Sequence, residues 1–188
     1  ISADNKTLYF SRVMDPFGGD IDIWKSERQP DGSWGEAENL GAPINTPGDE
    51  KSPFMHSDSY TLYFSSNYLI GMGGYDIFYA KMDQQSGQFK KPVNIGNPIN
   101  TDKDEHGFIV SRDGDKAFYG SSEKEAGSLD IYTFELYEEA RPKSVIFVNG
   151  EIKNNLGEVP EGAQVILKNT KTNQEVEAMV DQESGEYV

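Results

Sequence analysis

"NLGAPINTPGDE" at residues 39–50 and "NIGNPINTDKDE" at residues 94–105 decide the fold, because one phrase is written twice, 55 residues apart. Both copies have the form N-[LI]-G-x-P-I-N-T-x-x-D-E. We call residues 39–50 the first joint and residues 94–105 the second joint. Each joint ends in two neighbouring acids, Asp49 with Glu50 and Asp104 with Glu105. Either these acids form a binding site, or they hold the structure together.

The joints belong to a longer repeat. Three segments align with one another: "SADNKTLYFSRVMDPFGGDIDIW" from Ser2, "SDSYTLYFSSNYLIGMGGYDIFY" from Ser57 and "SRDGDKAFYGSSEKEAGSLDIYTF" from Ser111. An aspartate recurs in them at a spacing of 54 residues, as Asp22, Asp76 and Asp130. A steady period of this length indicates an array of similar structural units.

Each repeat is predicted to consist of short strands. "TLYFS" and "DIFYA" are rich in aromatic and branched residues and are bounded by Gly, Asn, Asp and Ser, which is typical of strands and turns. The second copy predicts four strands, at 52–57, 61–66, 75–81 and 89–94. Four antiparallel strands per repeat is the blade of a β-propeller. We therefore expect an all-β fold, with a partial β-propeller of three four-stranded blades over residues 1–137.

The last blade is expected to lack its outer strand, since its third strand at 129–135 is followed by a different pattern. Residues 138–144 read as a linker. In 145–188 the alternation in "VIFVNGEI", "AQVILKN" and "EVEAMV" predicts part of a small antiparallel β-sandwich.

The chain reads as an excerpt of a longer one, because it begins within a strand-turn-strand pattern. We expect the last blade to take its fourth strand from sequence upstream of Ile1, since an unpaired sheet edge is usually covered. The alternative is an open fragment of three blades packed on a partner.

Composition excludes several classes of protein. The net charge is −15 at pH 7, whereas a nucleic-acid-binding protein needs a basic face. The absence of cysteine excludes disulfides and thiolate metal sites. No run approaches the roughly 18 apolar residues that a membrane-spanning helix needs.

The four joint acids are the candidate cation ligands. They are expected on one face of the propeller, with the loops 12–19, 67–74 and 123–128, and calcium prefers several carboxylate oxygens. In the alternative, each acid accepts backbone hydrogen bonds where a new blade begins. Repetition favours this structural alternative, because every blade has the same need and a single active site does not. We therefore expect no metal and no cofactor.

The apolar loop "NYLIGMGGYD" is the candidate for contact with a partner. It has no apolar counterpart in the other copies, and an apolar loop on a polar surface is a feature of binding sites. The alternative is a loop folded onto its own blade. The contact candidates are Tyr68, Leu69, Ile70 and Met72.

Catalytic residues are not predicted. His56 and His106 stand at unlike places in the repeat, and neither lies in a known catalytic motif. We expect that the chain is not an enzyme.

The phrase "S-x-D-x-x-T-L-Y-F-S-S-N … G-G-Y-D-I-F/Y" resembles the WD-like propeller repeat of TolB-type proteins. With "LGxPINTxxDExSPF" it is similar to PorE-type, OmpA-family envelope proteins of the type IX secretion system of Bacteroidetes. In these, a propeller precedes a carboxypeptidase-regulatory-like module, which "G-x-I … G-A-x-V-x-L … G-x-Y" after Lys143 also resembles.

The resemblance implies a periplasmic, outer-membrane-associated scaffold without enzymatic activity. Its partners would be envelope or secretion-complex proteins, and it would reach peptidoglycan only through an OmpA-like domain outside these residues. The alternative is the accessory propeller of a secreted hydrolase, either a peptidase or a polysaccharide-processing enzyme.

Overall fold

The computed structural model of the chain describes residues 1–13, 20–121, 130–145, 148–173, 175–178 and 180–187. The fold is all-β: the described regular structure is antiparallel strand, apart from a 3₁₀ turn at Glu138–Ala140. The chain divides into two units, Ile1–Val145 and Ile146–Val188. No helix within the described residues has the length and apolar character needed to cross a membrane.

The first unit contains three antiparallel sheets, each built from consecutive strands. The first sheet consists of β1 (Thr7–Val13), β2 (Ile21–Glu27) and β3 (Glu38–Asn39). The second consists of β4 (Glu50–Met55), β5 (Thr61–Ser66), β6 (Asp76–Lys81) and β7 (Val93–Asn94). The third consists of β8 (Glu105–Val110), β9 (Lys116–Ser121) and β10 (Asp130–Glu135).

These strands lie close to the predicted ones. β5 has the predicted bounds, whereas β4 begins two residues early and β7 keeps only the last two residues of the predicted strand. The first sheet has three described strands rather than the predicted four. β1 pairs with β2 as β5 pairs with β6, so the first sheet has no described counterpart of β4. In the third sheet no described strand pairs with the free edge of β10.

The sheets pack face to face, and β5 lies in the middle. Its side chains alternate between the two faces, as those of any strand do. Leu62 and Phe64 pack towards the first sheet, in a cluster with Ile23 and Ile44. Tyr63 packs towards the third sheet, against Phe108 at 5.1 Å between ring centroids. All six residues of β5 are consequently buried.

Residues 136–145 pack against the second sheet, although the sequence suggests a linker over 138–144. Leu136 and Ala140 are buried in the same cluster as Tyr63. The Tyr63 hydroxyl donates a 2.6 Å hydrogen bond to the Ala140 carbonyl, and the Lys81 ammonium donates to the Glu139 carbonyl at 3.0 Å. Buried apolar side chains and satisfied carbonyls hold this segment in the first unit.

The second unit contains two small antiparallel sheets. One pairs β11 (Gly150–Glu151) with β14 (Glu186–Tyr187), and the other pairs β12 (Val165–Lys168) with β13 (Glu175–Ala178). Gly150 packs closely on β14, because a Cβ atom there would lie 2.5 Å from the Tyr187 hydroxyl unless that side chain shifted. The predicted strands at "AQVILKN" and "EVEAMV" correspond to β12 and β13.

Candidate functional site

Both joints fold into the same hydrogen-bonded structure. In the second joint the Asn100 side chain accepts the Ile77 N–H at 2.8 Å and donates to the Ile77 carbonyl at 2.9 Å. In the first joint Asn45 makes the same pair of bonds to Ile23, both at 2.9 Å. Asn45 thus clamps β2, and Asn100 clamps β6. Because a buried N–H needs a partner, this clamp is a structural requirement.

The glutamates of the joints cap the turn that enters the next sheet. Glu50 is fully buried and accepts the Thr46 N–H at 2.8 Å and the Ser66 hydroxyl at 2.6 Å. Glu105 is also fully buried and accepts the Thr101 N–H at 3.1 Å. Burial raises the pKa of Glu50 above its ordinary value, and the hydrogen bonds from Ser66 and Thr46 oppose that rise.

The aspartates of the joints connect one sheet to the next. Asp49 precedes β4 and accepts the Ile21 N–H of the first sheet at 3.0 Å. Asp104 precedes β8 and accepts the Tyr75 N–H, at the start of β6, at 2.8 Å. Both bonds reach back to the beginning of the strand that pairs with the one leading into the joint, β2 in the first sheet and β6 in the second. These are the backbone contacts that the structural interpretation of the acids predicts.

Asp49 also belongs to a cluster that the sequence analysis missed. Its carboxylate accepts the Tyr75 hydroxyl at 2.5 Å, and the Lys51 ammonium donates to the same hydroxyl. The ammonium lies 4.2 Å from the centre of the Tyr75 ring. The Tyr75 hydrogen bond is the main reason why the pKa of Asp49 falls below its ordinary value. This cluster of Asp49, Lys51 and Tyr75 is not repeated at the second joint, so the repeat in the sequence gave no indication of it.

The four candidate cation ligands are therefore engaged within the protein. No group of three or more His, Cys, Asp or Glu side chains in the described ranges could hold a metal ion. Of the loops expected to share this face, residues 14–19 and 123–128 lie outside the described residues. The loop at 67–74 is described.

The loop at residues 67–75 presents three of the four contact candidates to solvent. Ile70 is 94% exposed, Tyr68 is 59% exposed and Met72 is 53% exposed. Leu69 behaves differently, because it is partly buried and packs on the cluster between the first and second sheets. The expectation of an apolar surface loop and the alternative of a folded-back loop thus each describe part of it.

The backbone of this loop is fixed at both ends. At its start, the Asp49 N–H donates to the Asn67 side chain at 2.8 Å. Near its end, the Met72 and Gly73 N–H groups donate to the Asp76 carboxylate at 2.9 and 3.1 Å. A Cβ atom on Gly73 would lie 2.3 Å from the Lys103 carbonyl, so the loop rests directly on the second joint.

The two histidines have structural environments. His56 is fully buried, and its Nε2 atom lies 3.1 Å from the Ser111 carbonyl oxygen of the third sheet. The His106 ring packs against Tyr75, with 5.0 Å between the centroids, and burial lowers the pKa of His106.

Asp58, next to the buried His56, has a strongly lowered pKa. Burial would raise its pKa, but the interaction with His56 and hydrogen bonds from its neighbours outweigh burial and hold the pKa well below the ordinary value. Those neighbours include the Thr61 hydroxyl at 2.7 Å and the Lys143 N–H at 2.9 Å. Asp58 therefore fastens residues 136–145 to the second sheet.

Comparison of the chain with models of protein families gave no match, and comparison with curated protein sequences gave none either.

Proposed function

We propose that the first unit is part of a β-propeller, and that the chain is a non-enzymatic scaffold that binds protein partners. The proposal places it in the periplasm, associated with the outer membrane, as the resemblance of its repeat to envelope proteins implies. An OmpA-like domain outside these residues would supply the attachment to peptidoglycan. The second unit, which resembles a carboxypeptidase-regulatory-like module, would extend the same scaffold.

The propeller proposal is supported by how the three sheets repeat. Equivalent residues pack towards the next sheet, since Ile23 lies in the cluster between the first and second sheets and Ile77 in the cluster between the second and third. The joint between each pair of sheets has the same hydrogen bonds. Radial repetition of four-stranded sheets is how propellers protect their edges.

The observation that carries the binding function is the exposed apolar tip at Tyr68, Ile70 and Met72. Large apolar side chains that are exposed together on a surface mark sites of interaction. An aromatic residue and a methionine are also among the residue types enriched in protein interfaces.

The fixed backbone of the loop favours binding. Ordering a mobile loop opposes association, so a loop already held by its own hydrogen bonds avoids that cost. Residues 67–75 are held in this way by Asn67, Asp76 and the contact of Gly73 with the second joint. The contacts of the three exposed side chains with a partner are then opposed by a smaller loss of conformational entropy.

The test is site-specific photo-crosslinking in cells that produce the protein. A photoreactive amino acid at position 70 should crosslink to a discrete protein partner, and the same amino acid at the exposed Gln85 should not. Ile70→Asp, combined with crosslinking from position 72, should abolish the adduct because a buried charge opposes an apolar interface. Absence of an adduct from position 70, or equal adducts from positions 70 and 85, would overturn the proposal.

A further inference from the structure

A cavity of about 440 Å³ lies beside the second sheet, at the ends of β5 and β6 opposite to the 67–75 loop. It is bordered by the turn before β5, by the turn after β6 and by residue 143. The charged residues that line it are Asp58, Lys81, Asp83, Lys90 and Lys143. Sites for small molecules generally have volumes of about 300–1,000 Å³, so the cavity has the size of such a site.

The cavity carries a positive charge that the repeat does not explain. The residue after Lys81 donates its N–H to the Tyr60 carbonyl at 2.7 Å, and the residues after Glu27 and Glu135 make the same bond in the first and third sheets. Lys81, Glu27 and Glu135 are therefore equivalent, at a spacing of 54 residues. A lysine at this place is a property of the second sheet and not a requirement of every sheet.

Two ammonium groups at the cavity have no carboxylate beside them among the described residues. Lys81 donates to the Glu139 and Arg141 carbonyls at 3.0 and 3.1 Å, and a carbonyl accepts the proton without supplying a negative charge. The Lys143 ammonium lies 5.3 Å from the centre of the Tyr60 ring. In a chain with 32 acidic and 17 basic residues, these two groups form a local positive region.

The two carboxylates at the cavity are engaged within the protein. Asp58 accepts three backbone N–H groups, each at 2.9 Å. Asp83 accepts two N–H groups of its own turn, at 3.1 and 3.0 Å. The Lys90 ammonium lies 3.8 Å from Asp83, and its side chain is 67% exposed. The cavity therefore presents three ammonium groups to a ligand, while the negative charges are held by backbone donors.

The two unmatched lysines are fixed in position by the fold. Lys81 is held by two backbone carbonyls, and the backbone N–H of Lys143 is held by the buried Asp58. Groups that are already ordered lose less conformational entropy when a ligand binds.

We propose that this cavity binds a small organic anion that carries carboxylate or phosphate groups. The ammonium groups of Lys81, Lys90 and Lys143 would bind its negative oxygens, because a lysine ammonium attracts either kind of oxyanion as a point charge. The side-chain amides of Gln84 and Gln85, which also line the cavity, would donate to its other oxygens. The site lies apart from the 67–75 loop and does not depend on that loop's function.

The probes are glutarate and glycerol phosphate, which carry the two kinds of oxyanion, and glutaramide, the uncharged counterpart of glutarate. Each is titrated at constant ionic strength into the isotope-labelled chain, and the amide chemical shifts are followed by NMR. We expect saturable shifts at residues 58–61 and 81–90 with an anion and none with glutaramide. The anion with the lower Kd identifies the kind of oxyanion. Binding should weaken as salt is added, because salt screens the charges.

Two matched variants locate the site. Lys143→Gln removes one ammonium group but keeps the aliphatic chain and the N–H that Asp58 accepts, and it should weaken binding by at least about fivefold. Lys171→Gln removes the same charge from an exposed residue of the second unit and should bind within about twofold of the original protein. Thermal unfolding establishes that both variants fold.

Three results would each overturn the proposal: no shift of these amides with either anion, binding of glutaramide as tight as that of the anions, or equal binding to folded Lys143→Gln and Lys171→Gln. A protein that still crosslinks from position 70 after such a result would leave the loop proposal standing.

Discussion

Replacing Asn100 by alanine tests the structural reading of the joints. The side chain is fully buried and makes three hydrogen bonds, two to the backbone of Ile77 and one to Asn94. After the substitution the Ile77 carbonyl keeps the Ile95 N–H, and the Asn94 side chain keeps the Gly96 N–H at 2.7 Å. Of these groups, the Ile77 N–H is the one that keeps no partner among the described residues.

The expected loss follows from these contacts. A buried donor left without a partner costs about 1–3 kcal/mol, and an ordinary hydrogen bond contributes about 1 kcal/mol. Asn100→Ala should therefore lower the free energy of unfolding by about 3 kcal/mol, a large fraction of the 5–15 kcal/mol typical of a domain. The midpoint of thermal unfolding should fall by roughly 6–12 °C for a unit of this size.

The sequence supplies its own control. Asn97 lies in the same joint, is exposed, and has Ala42 as its counterpart in the first joint. Asn97→Ala should change stability by less than about 0.5 kcal/mol. Urea unfolding followed by circular dichroism measures the free energy of unfolding of both variants, and we expect the m-value to stay unchanged. If Asn100→Ala and Asn97→Ala unfold within about 0.5 kcal/mol of each other, the clamp is not what holds the joint.

Three further changes test other parts of the structure. Tyr63→Phe removes the 2.6 Å bond to the Ala140 carbonyl and should cost about 1–2 kcal/mol in urea unfolding; a loss below about 0.5 kcal/mol would show that this hydrogen bond does not help to hold residues 136–145. The pKa of Asp58 is lowered from 3.8, so its carboxylate stabilises the fold above about pH 4 and loses that effect as the pH falls further. Asp58→Ala should therefore be less stable at pH 7, and its free energy of unfolding should fall less steeply below about pH 4 than that of the original protein. An unchanged dependence of stability on pH in that range would contradict this assignment. Gly73→Ala places a Cβ atom 2.3 Å from the Lys103 carbonyl and should cost about 1–3 kcal/mol while reducing crosslinking from position 70; full stability would mean that the loop does not rest on the second joint.

The sequence predicted what the repeat encodes. β5 lies at the predicted residues because "TLYFS" is both alternating and β-prone, and its alternation places Leu62 and Tyr63 against different neighbouring sheets. The repeated offset of the acids also pointed to backbone contacts at the start of each new sheet. A requirement that recurs in every repeat leaves a periodic trace, and such a trace can be found without a structure.

Features that occur once left no such trace. The bond between Tyr63 and Ala140 joins residues 77 positions apart, and the segment around Ala140 has the composition of a linker. Lys51 and Tyr75 likewise meet Asp49 only in three dimensions. The exposure of Ile70 beside the burial of Leu69 depends on how one loop rests on its neighbours, which the apolar composition of both residues does not reveal.

The central claim is that the two joints hold the sheets together and do not bind a ligand. Calorimetric titration of the 188-residue chain with calcium, together with thermal unfolding in calcium and in chelator, tests it most directly. We predict no saturable heat up to about 10 mM calcium, a concentration above the range of even weak extracellular calcium sites, and the same unfolding midpoint in both solutions. Stoichiometric binding that is lost in Asp49→Asn or Asp104→Asn, with an unfolding midpoint raised by calcium, would contradict the claim.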